Sequence, residues 1–147
     1  WGVKSLQAWA NHGKFDGAGL DDEQQTLRAF YRQLLRIARS EKAITQGDMY
    51  DLTYAQGEGF NKHEQYAYIR KYKKQTLLVV LNFDDRQVDM QVRIPQDAFE
   101  YLKLEEESLA KAEDLLTGTE YTFPLHPHTP ICLTLPAWKG VILKIKG

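Results

Sequence analysis

Two histidines and a single cysteine carry the most specific chemistry in this 147-residue chain. His126 and His128 flank Pro127 and could place two imidazoles near one metal ion, but no H-x-x-x-H spacing and no cysteine pair completes a zinc site. We therefore interpret this proline-rich segment as a stiff surface turn and predict no metal site or cofactor. Cys132 alternates with apolar neighbours in a predicted strand, which favours a buried or half-buried structural thiol over a nucleophile.

Carboxylates are numerous enough to raise the question of glycoside hydrolysis. That chemistry needs two carboxyl groups in a cleft, about 5–5.5 Å apart for retention or about 6.5–9.5 Å apart for inversion. Asp84 and Asp85 are expected in a hairpin turn, Asp48 and Asp51 beside the start of a strand, and residues 105–107 in a solvated acidic run. Turn chemistry and solubility account for all of them, so we predict no catalytic residue in this chain.

Aromatic side chains offer a second chemistry, because their faces can stack on the apolar faces of sugars. The candidate substrate-binding residues are the tryptophans Trp1, Trp9 and Trp138. The tyrosines at 66, 68 and 72 form a second candidate row. Burial in the core is the competing interpretation for each of these side chains.

The charge balance excludes several classes of partner. Nineteen basic and twenty acidic residues give a formal charge of −1, which leaves no electrostatic footprint for nucleic acid or an anionic membrane surface. No apolar run approaches the ~18 residues that span a bilayer. The basic run at 70–74 is predicted to lie at a solvated hairpin tip, where lysines discourage edge-to-edge strand pairing.

One long amphipathic helix is predicted from Asp22 to about Arg39. Asp21 is its expected N-cap, with Gln24 in the capping-box position. The apolar face is broad and must lie against something substantial; its members recur at three-and-four spacing and are Leu27, Phe30, Tyr31, Leu34, Leu35 and Ala38.

After Gly47 the apolar period changes from that of a helix to that of a strand. Short strands punctuated by proline and glycine predict an antiparallel β-sandwich. Asp84–Gln87 is expected to be a hairpin loop between two of these strands, and residues 98–109 a helix-compatible insertion. The predicted strands are 49–54, 66–72, 77–81, 88–94, 121–123, 131–135 and 141–145, with 115–118 as a further candidate.

The chain opens with Trp1 rather than methionine, and no secretion-signal pattern follows it. We therefore expect a piece of a longer polypeptide, whose compartment the sequence leaves undetermined. Residues 4–10 are compatible with a short helix, and the remainder of 1–20 is expected to be an ordered loop.

Four segments together resemble the alpha-amylase superfamily, glycoside hydrolase family thirteen. LRAFYRQLLRIAR (27–39), followed by AI (43–44) and QGD (46–48), is similar to the family's last barrel helix and the turn into its C-terminal sandwich, domain C. LLVVLNF (77–83) and LLTG (115–118) look like two further landmarks of that domain. LTLPA (133–137) with GVIL (140–143) resembles its closing strands, and the four segments stand in the family's order.

The resemblance implies a mainly β fold with a Greek-key domain C sandwich, preceded by a helix left over from a β/α barrel. Residues 1–46 would be the barrel remnant, with a rim loop and the last helix, and residues 47–147 the sandwich. The family's catalytic carboxylates would precede Trp1, and a calcium site, where present, would lie mostly upstream.

The implied function is that of a non-catalytic C-terminal fragment of an enzyme acting on α-glucans, in which the sandwich stabilises the barrel. Its partners would be its own upstream barrel and, through the parent enzyme, an α-glucan. The broad helix face also allows self-association of the fragment. The alternative is a non-catalytic carbohydrate-binding or interaction module. Linkage specificity and the choice between hydrolysis and transglycosylation stay open.

Overall fold

The structure, a computed structural model, describes residues 21–146 apart from the side chains of Glu23 and Leu27. Helix α1 spans Asp22–Ser40, close to the predicted bounds. The predicted capping box is confirmed, because Gln24 N–H donates to Asp21 Oδ1 at 2.7 Å and Asp21 N–H donates to Gln24 Oε1 at 3.2 Å. These two bonds satisfy amides that the first helical turn cannot pair internally.

The chain divides into two compact units, residues 1–40 and 41–147. In the described part, α1 belongs to the first unit, and every other helix and strand belongs to the second. In chain order these are α2 Lys42–Thr45, β1 Asp48–Asp51, a 3-10 turn Thr53–Ala55, β2 Gln65–Tyr72, β3 Gln75–Asn82, β4 Val88–Val92, α3 Gln96–Leu102, β5 Glu107–Asp114, β6 Glu120–Leu125, β7 Ile131–Leu135 and β8 Gly140–Lys146.

The second unit is an antiparallel β-sandwich, as predicted. One sheet has six strands in the order β1-β2-β3-β8-β5-β6, and the other pairs β4 with β7. The C-terminal strand β8 thus inserts between β3 and β5, a crossover of the Greek-key kind. Strand β3, predicted as central from its unbroken apolar run, pairs with β2 on one side and β8 on the other.

A single hydrophobic core joins the two sheets and helix α3. The larger sheet contributes Ile69 and Leu78, the smaller sheet contributes Val92 and Leu133, and α3 contributes Phe99. All of these side chains are at most 4% exposed. Period-2 alternation on the half-covered strands and a continuous apolar run on β3 are the sequence patterns that this layering requires.

The connection from β3 to β4 corrects a prediction. The loop Asp84–Gln87 is not a hairpin, because β3 pairs within the six-stranded sheet and β4 pairs only with β7. The chain crosses there from one sheet to the other. Asn82 anchors the crossing, since its Nδ2 donates to the carbonyl oxygens of Arg86 and Pro136, each at 3.1 Å.

The segment predicted as an insertion, residues 98–109, also differs in the structure. Its helix ends at Leu102, where Lys103 adopts a left-handed conformation at φ 54°. From Glu107 the chain forms strand β5, in which alanines face the core while Leu109 is 60% exposed. Small residues inside and a large one outside invert the usual hydrophobic signal. Residues 115–117 form a turn after β5, not a strand.

The short helix α2 is tied to the larger sheet by polar side chains. Arg70 Nε donates to the Ala43 carbonyl at 3.0 Å, and a second guanidinium nitrogen contacts the Ile44 carbonyl. Gln75 Oε1 accepts the Ala43 N–H at 2.7 Å. Of the basic run predicted to be solvated, Arg70 is therefore an anchor for α2, and only Lys73 and Lys74 lie exposed at the hairpin tip.

Candidate ligand-binding surface

Of the three predicted substrate-binding tryptophans, Trp138 lies within the described residues, and Trp1 and Trp9 lie outside them. Trp138 is in the turn between β7 and β8 at φ 57°, and its side chain is 65% exposed. The backbone N–H of Trp138 donates to the Asp84 carbonyl at 3.2 Å, which fixes the turn. The ring is accessible, and its role in binding stays a prediction.

Cys132 is exposed, so the predicted burial of its thiol is wrong. Strand β7 turns the apolar Ile131 and Leu133 into the core, and the alternation of strand side chains then places Cys132 on the outer face. No thiol function follows from this position.

The histidines of the predicted surface turn do not share a site. His126 Nδ1 lies 2.9 Å from Glu106 Oε2, whereas His128 has a left-handed backbone, with φ 61°, and its N–H donates to the Ile94 carbonyl. Within residues 21–146, no group of three histidine, cysteine or acidic side chains is placed to hold a metal ion. In the same range, no helix is long and apolar enough to cross a membrane.

The predicted tyrosine row on β2 is partly buried. The rings of Tyr66 and Tyr68 lie 5.5 Å apart at 47°, and burial raises the pKa of both phenols. Lys73 Nζ lies 5.4 Å from the centre of the Tyr72 ring. All three side chains are partly buried, which reduces the ring area that is open for stacking on a ligand.

A second tyrosine cluster, which the sequence analysis did not single out, consists of Tyr50, Tyr54 and Tyr101. The Tyr50 ring lies 6.3 Å from Tyr54 and 5.8 Å from Tyr101. Tyr54 and Tyr101 are 56% and 63% exposed. The hydroxyls of Tyr50 and Tyr54 are 2.6 Å apart; this hydrogen bond, together with partial burial, raises the pKa of Tyr50 to about 12. The phenol of Tyr50 is therefore neutral near pH 7, and its contact with the Tyr54 hydroxyl orients these two side chains relative to each other.

A cavity of about 560 Å³ adjoins this cluster and is lined by Tyr101. Its apolar lining includes Leu102, Leu125 and Ile145, which are 5%, 4% and 8% exposed. The volume is within the range of small-molecule sites, about 300–1,000 Å³. The cavity is built from the β2–β3 hairpin tip, the end of β8 and the segment that follows α3.

Charges of both signs line the same cavity. The cations are Lys71, Lys73, Lys74 and Lys103, and the anions are Asp48, Glu105 and Glu107. The ion pairs found among the described residues are made by other side chains. Desolvation lowers the pKa of Lys71, and the nearby charge of Glu105 opposes that shift. These groups are therefore available as hydrogen-bond donors and acceptors for a ligand.

One carboxyl pair lies close together but serves the loop between the sheets. The hydrogen bond with Asp84 raises the pKa of Glu64. Burial acts to raise the pKa of Asp84, but hydrogen bonds from Glu64, Asp85 and Arg86 outweigh it and lower that pKa. Asp84 Oδ1 also accepts the Arg86 amide N–H at 3.1 Å. Glu64 and Asp84 thus belong to the hydrogen-bonded loop that joins the two sheets.

The sequence profile of the alpha amylase, C-terminal all-beta domain matches residues 60–146. The chain belongs to this family. The profile covers the strands from β2 to β8 and both sheets of the sandwich. No curated protein matches the chain in sequence.

Solved structures show the same fold at low sequence identity. AmyP in complex with maltose is 15% identical, with a TM-score of 0.62 over 89% of this chain. The maltogenic alpha-amylase AmyB from Thermotoga neapolitana is 11% identical, with a TM-score of 0.57 over 78%. The alpha-amylase from Geobacillus thermoleovorans, complexed with acarbose, is 13% identical, with a TM-score of 0.54 over 76%.

This chain spans only a fraction of those structures, 23%, 24% and 21% of their lengths in the same order. The likeness therefore establishes the fold of an alpha-amylase C-terminal domain. It does not assign the activity of the longer proteins to this chain.

Sequence reasoning missed the tyrosine cluster of this alpha-amylase C-terminal domain for a structural reason. Tyr50 was placed in a strand and Tyr101 in an insertion, and nothing in either segment indicates that they meet. The signal available in the sequence is compositional. Tyr101 stands near Lys103 and Glu105 at an exposed helix end, and this helix end lies opposite a lysine-rich hairpin tip. That signal becomes specific only once the antiparallel register of β1 with β2 is known.

Proposed function

We propose that the chain is the non-catalytic C-terminal part of an alpha-amylase-type glycoside hydrolase acting on α-glucans, such as starch or maltooligosaccharides. In this proposal the sandwich stabilises a catalytic barrel supplied by the rest of the enzyme. Membership in the C-terminal domain family supports it. Further support comes from the solved structures of similar fold: two are named alpha-amylases, and AmyP and the Geobacillus thermoleovorans enzyme are complexes with maltose and acarbose.

The observation that carries the stabilising role is the apolar face of α1. Tyr31 and Leu35 are 57% and 59% exposed and stand one helical turn apart on the same face. Covering such side chains contributes about 1.5–3 kcal/mol each. A neighbouring barrel helix in the complete enzyme would supply that cover.

The test compares two contexts, the complete enzyme and the 147-residue chain. The double variant Tyr31→Ala/Leu35→Ala should destabilise the complete enzyme by about 2 kcal/mol or more, because it removes buried contacts there. The same variant should leave the unfolding of the chain nearly unchanged, since both side chains are exposed in it. Thermal unfolding of both proteins measures this difference.

Arg36→Ala is the matched control, because Arg36 is an exposed polar residue on the same helix. It should leave the stability of both proteins within about 0.5 kcal/mol. Equal effects of the double variant in the two contexts would contradict the proposal that the barrel covers this face.

The second candidate is a self-sufficient carbohydrate-binding module. The exposed aromatic rings of Tyr54, Tyr101 and Trp138 favour it. The complete gene distinguishes the two functions, because a carbohydrate-binding module needs no catalytic barrel in the same polypeptide. Activity of the complete gene product on an α-glucan supports the enzyme, and binding without any activity supports the module.

A further inference from the structure

We infer that the tyrosine cluster and the adjoining cavity form a binding site for an α-glucan chain, with Tyr101 as its stacking platform. The inference rests on the proposed function, which supplies the class of glycan. All of the described residues that form this site belong to the second compact unit, and Trp138 is not among them.

The shape of the surface around Tyr101 suits a sugar ring. Tyr101 is 63% exposed and its ring lies 5.8 Å from that of Tyr50. Tyr50 is in turn held by its hydroxyl bond to Tyr54. Three rings arranged in this way form a short aromatic strip that leads to the cavity. A glucose ring, with one apolar face and a rim of hydroxyls, matches an aromatic face next to a polar cavity.

The balance of charge in the cavity favours a neutral ligand. Four lysines would favour an anion, but Asp48, Glu105 and Glu107 face the same space. A phosphate or carboxylate ligand would meet those three carboxylates. A neutral polyhydroxyl ligand fits both sets, since each hydroxyl can donate to a carboxylate and accept from an ammonium group. The apolar floor formed by Leu102 and Ile145 suits the carbon-bound hydrogens of a sugar.

The proposed site is separate from the exposed rings of Trp138 and Phe83. Ile145 lines the cavity, whereas Gly140, next to Trp138, begins the same strand. The five residue steps from Gly140 to Ile145 correspond to about 17 Å along β8. Phe83 likewise follows the far end of β3, whose near end contributes Thr76 to the cavity. Substitutions at Phe83 therefore test exposed aromatic area without touching the proposed site.

The experiment titrates the 147-residue chain with maltoheptaose, using calorimetry and amide chemical shifts. Wild-type protein should bind, with shift changes centred on Tyr50, Tyr101 and Lys71. Tyr101→Ala should weaken binding at least about tenfold, as expected for truncation of an aromatic anchor. Tyr101→Phe keeps the ring and should stay within about twofold of wild type. Phe83→Ala, with a ring 52% exposed, is the matched control and should bind like wild type.

Several results would overturn the inference. One is that the folded wild-type chain does not bind maltoheptaose. Another is that Trp138→Ala abolishes binding while Tyr101→Ala does not. A third is that inorganic phosphate changes the chemical shifts at the cavity and maltoheptaose does not. Thermal unfolding of each variant confirms that it is folded. If the complete enzyme acts on starch while the chain binds no glucan, this site alone fails. If the complete enzyme acts on no α-glucan, the proposed function fails.

Discussion

The buried carboxylate of Asp114 joins the turn after β5 to strand β8, and replacing it tests how much this connection stabilises the sandwich. Asp114 is 1% exposed. Its Oδ1 accepts the amide N–H groups of Leu116 and Ile142, both at 3.1 Å, and its Oδ2 accepts the Thr117 hydroxyl at 2.8 Å. One side chain thereby orders the turn after β5 and ties it to strand β8. We predict that Asp114→Ala lowers the free energy of unfolding of the chain substantially.

The magnitude follows from where the three donors lie. The bond to Ile142 is buried, so the amide left without an acceptor costs about 1–3 kcal/mol. The bonds from Leu116 and Thr117 are only partly buried, and water can replace the acceptor there, so each contributes about 0.5–1 kcal/mol. The expected loss for Asp114→Ala is therefore about 3 kcal/mol. Asp114→Asn keeps the shape and one carbonyl oxygen, and should lose about 1 kcal/mol.

Urea unfolding of the 147-residue chain, followed by circular dichroism, measures both variants. The comparison requires equal m values, so that a change in midpoint reports stability alone. Hydrogen exchange adds a local readout, because the Ile142 amide should exchange faster in Asp114→Ala than in wild type. A loss below about 1 kcal/mol for Asp114→Ala, or equal losses for alanine and asparagine, would refute the reasoning.

Two further predictions concern the α2 junction and the loop between the sheets. A Cβ on Gly47 would lie 2.2 Å from the Ala43 carbonyl oxygen. Gly47→Ala should therefore lower the free energy of unfolding, measured in urea, by about 1–3 kcal/mol. Gly57→Ala is the control and should leave this free energy unchanged, because a Cβ at Gly57 would meet open space. The raised pKa of Glu64 means that its contribution to stability is present below pH 4.5 and lost as the pH rises through the raised value. Glu64→Gln keeps a donor to Asp84 at every pH, so this loss should vanish from its stability–pH profile, while the exposed control Glu58→Gln should retain it. A similar loss of stability with rising pH in Glu64→Gln would show that the Glu64–Asp84 pair does not control the stability–pH profile.

The sequence predicted the elements whose signal is local. Helix α1 carries its cap at Asp21 and Gln24 together with a wide apolar face. Strand β7 alternates cleanly, and the apolar run of β3 corresponds to side chains that are buried on both faces of the strand, from Leu77 to Val80. These features depend on residues a few positions apart, which one-dimensional patterns report well.

The features that sequence missed depend on distant residues. Strand β5 places Ala110 and Ala112 inside and Leu109 outside, so the larger apolar residue lies on the solvent face, the reverse of the usual pattern. The crossing at Asp84 looks like a hairpin loop until the pairing of β4 with β7 is known. The tyrosine cluster forms only when α3 packs near β1. Each case is set by tertiary packing rather than by local propensity.

The most direct test of the central claim is an assay of soluble-starch hydrolysis with two proteins, the 147-residue chain and the product of the complete reading frame that contains it. We predict hydrolysis or transfer on α-glucans by the complete protein and none by the chain alone. Hydrolysis by the purified chain, abolished by a substitution in one of its own carboxylates, would contradict the claim that it is non-catalytic. A complete protein without activity on any α-glucan would contradict the proposed parent enzyme.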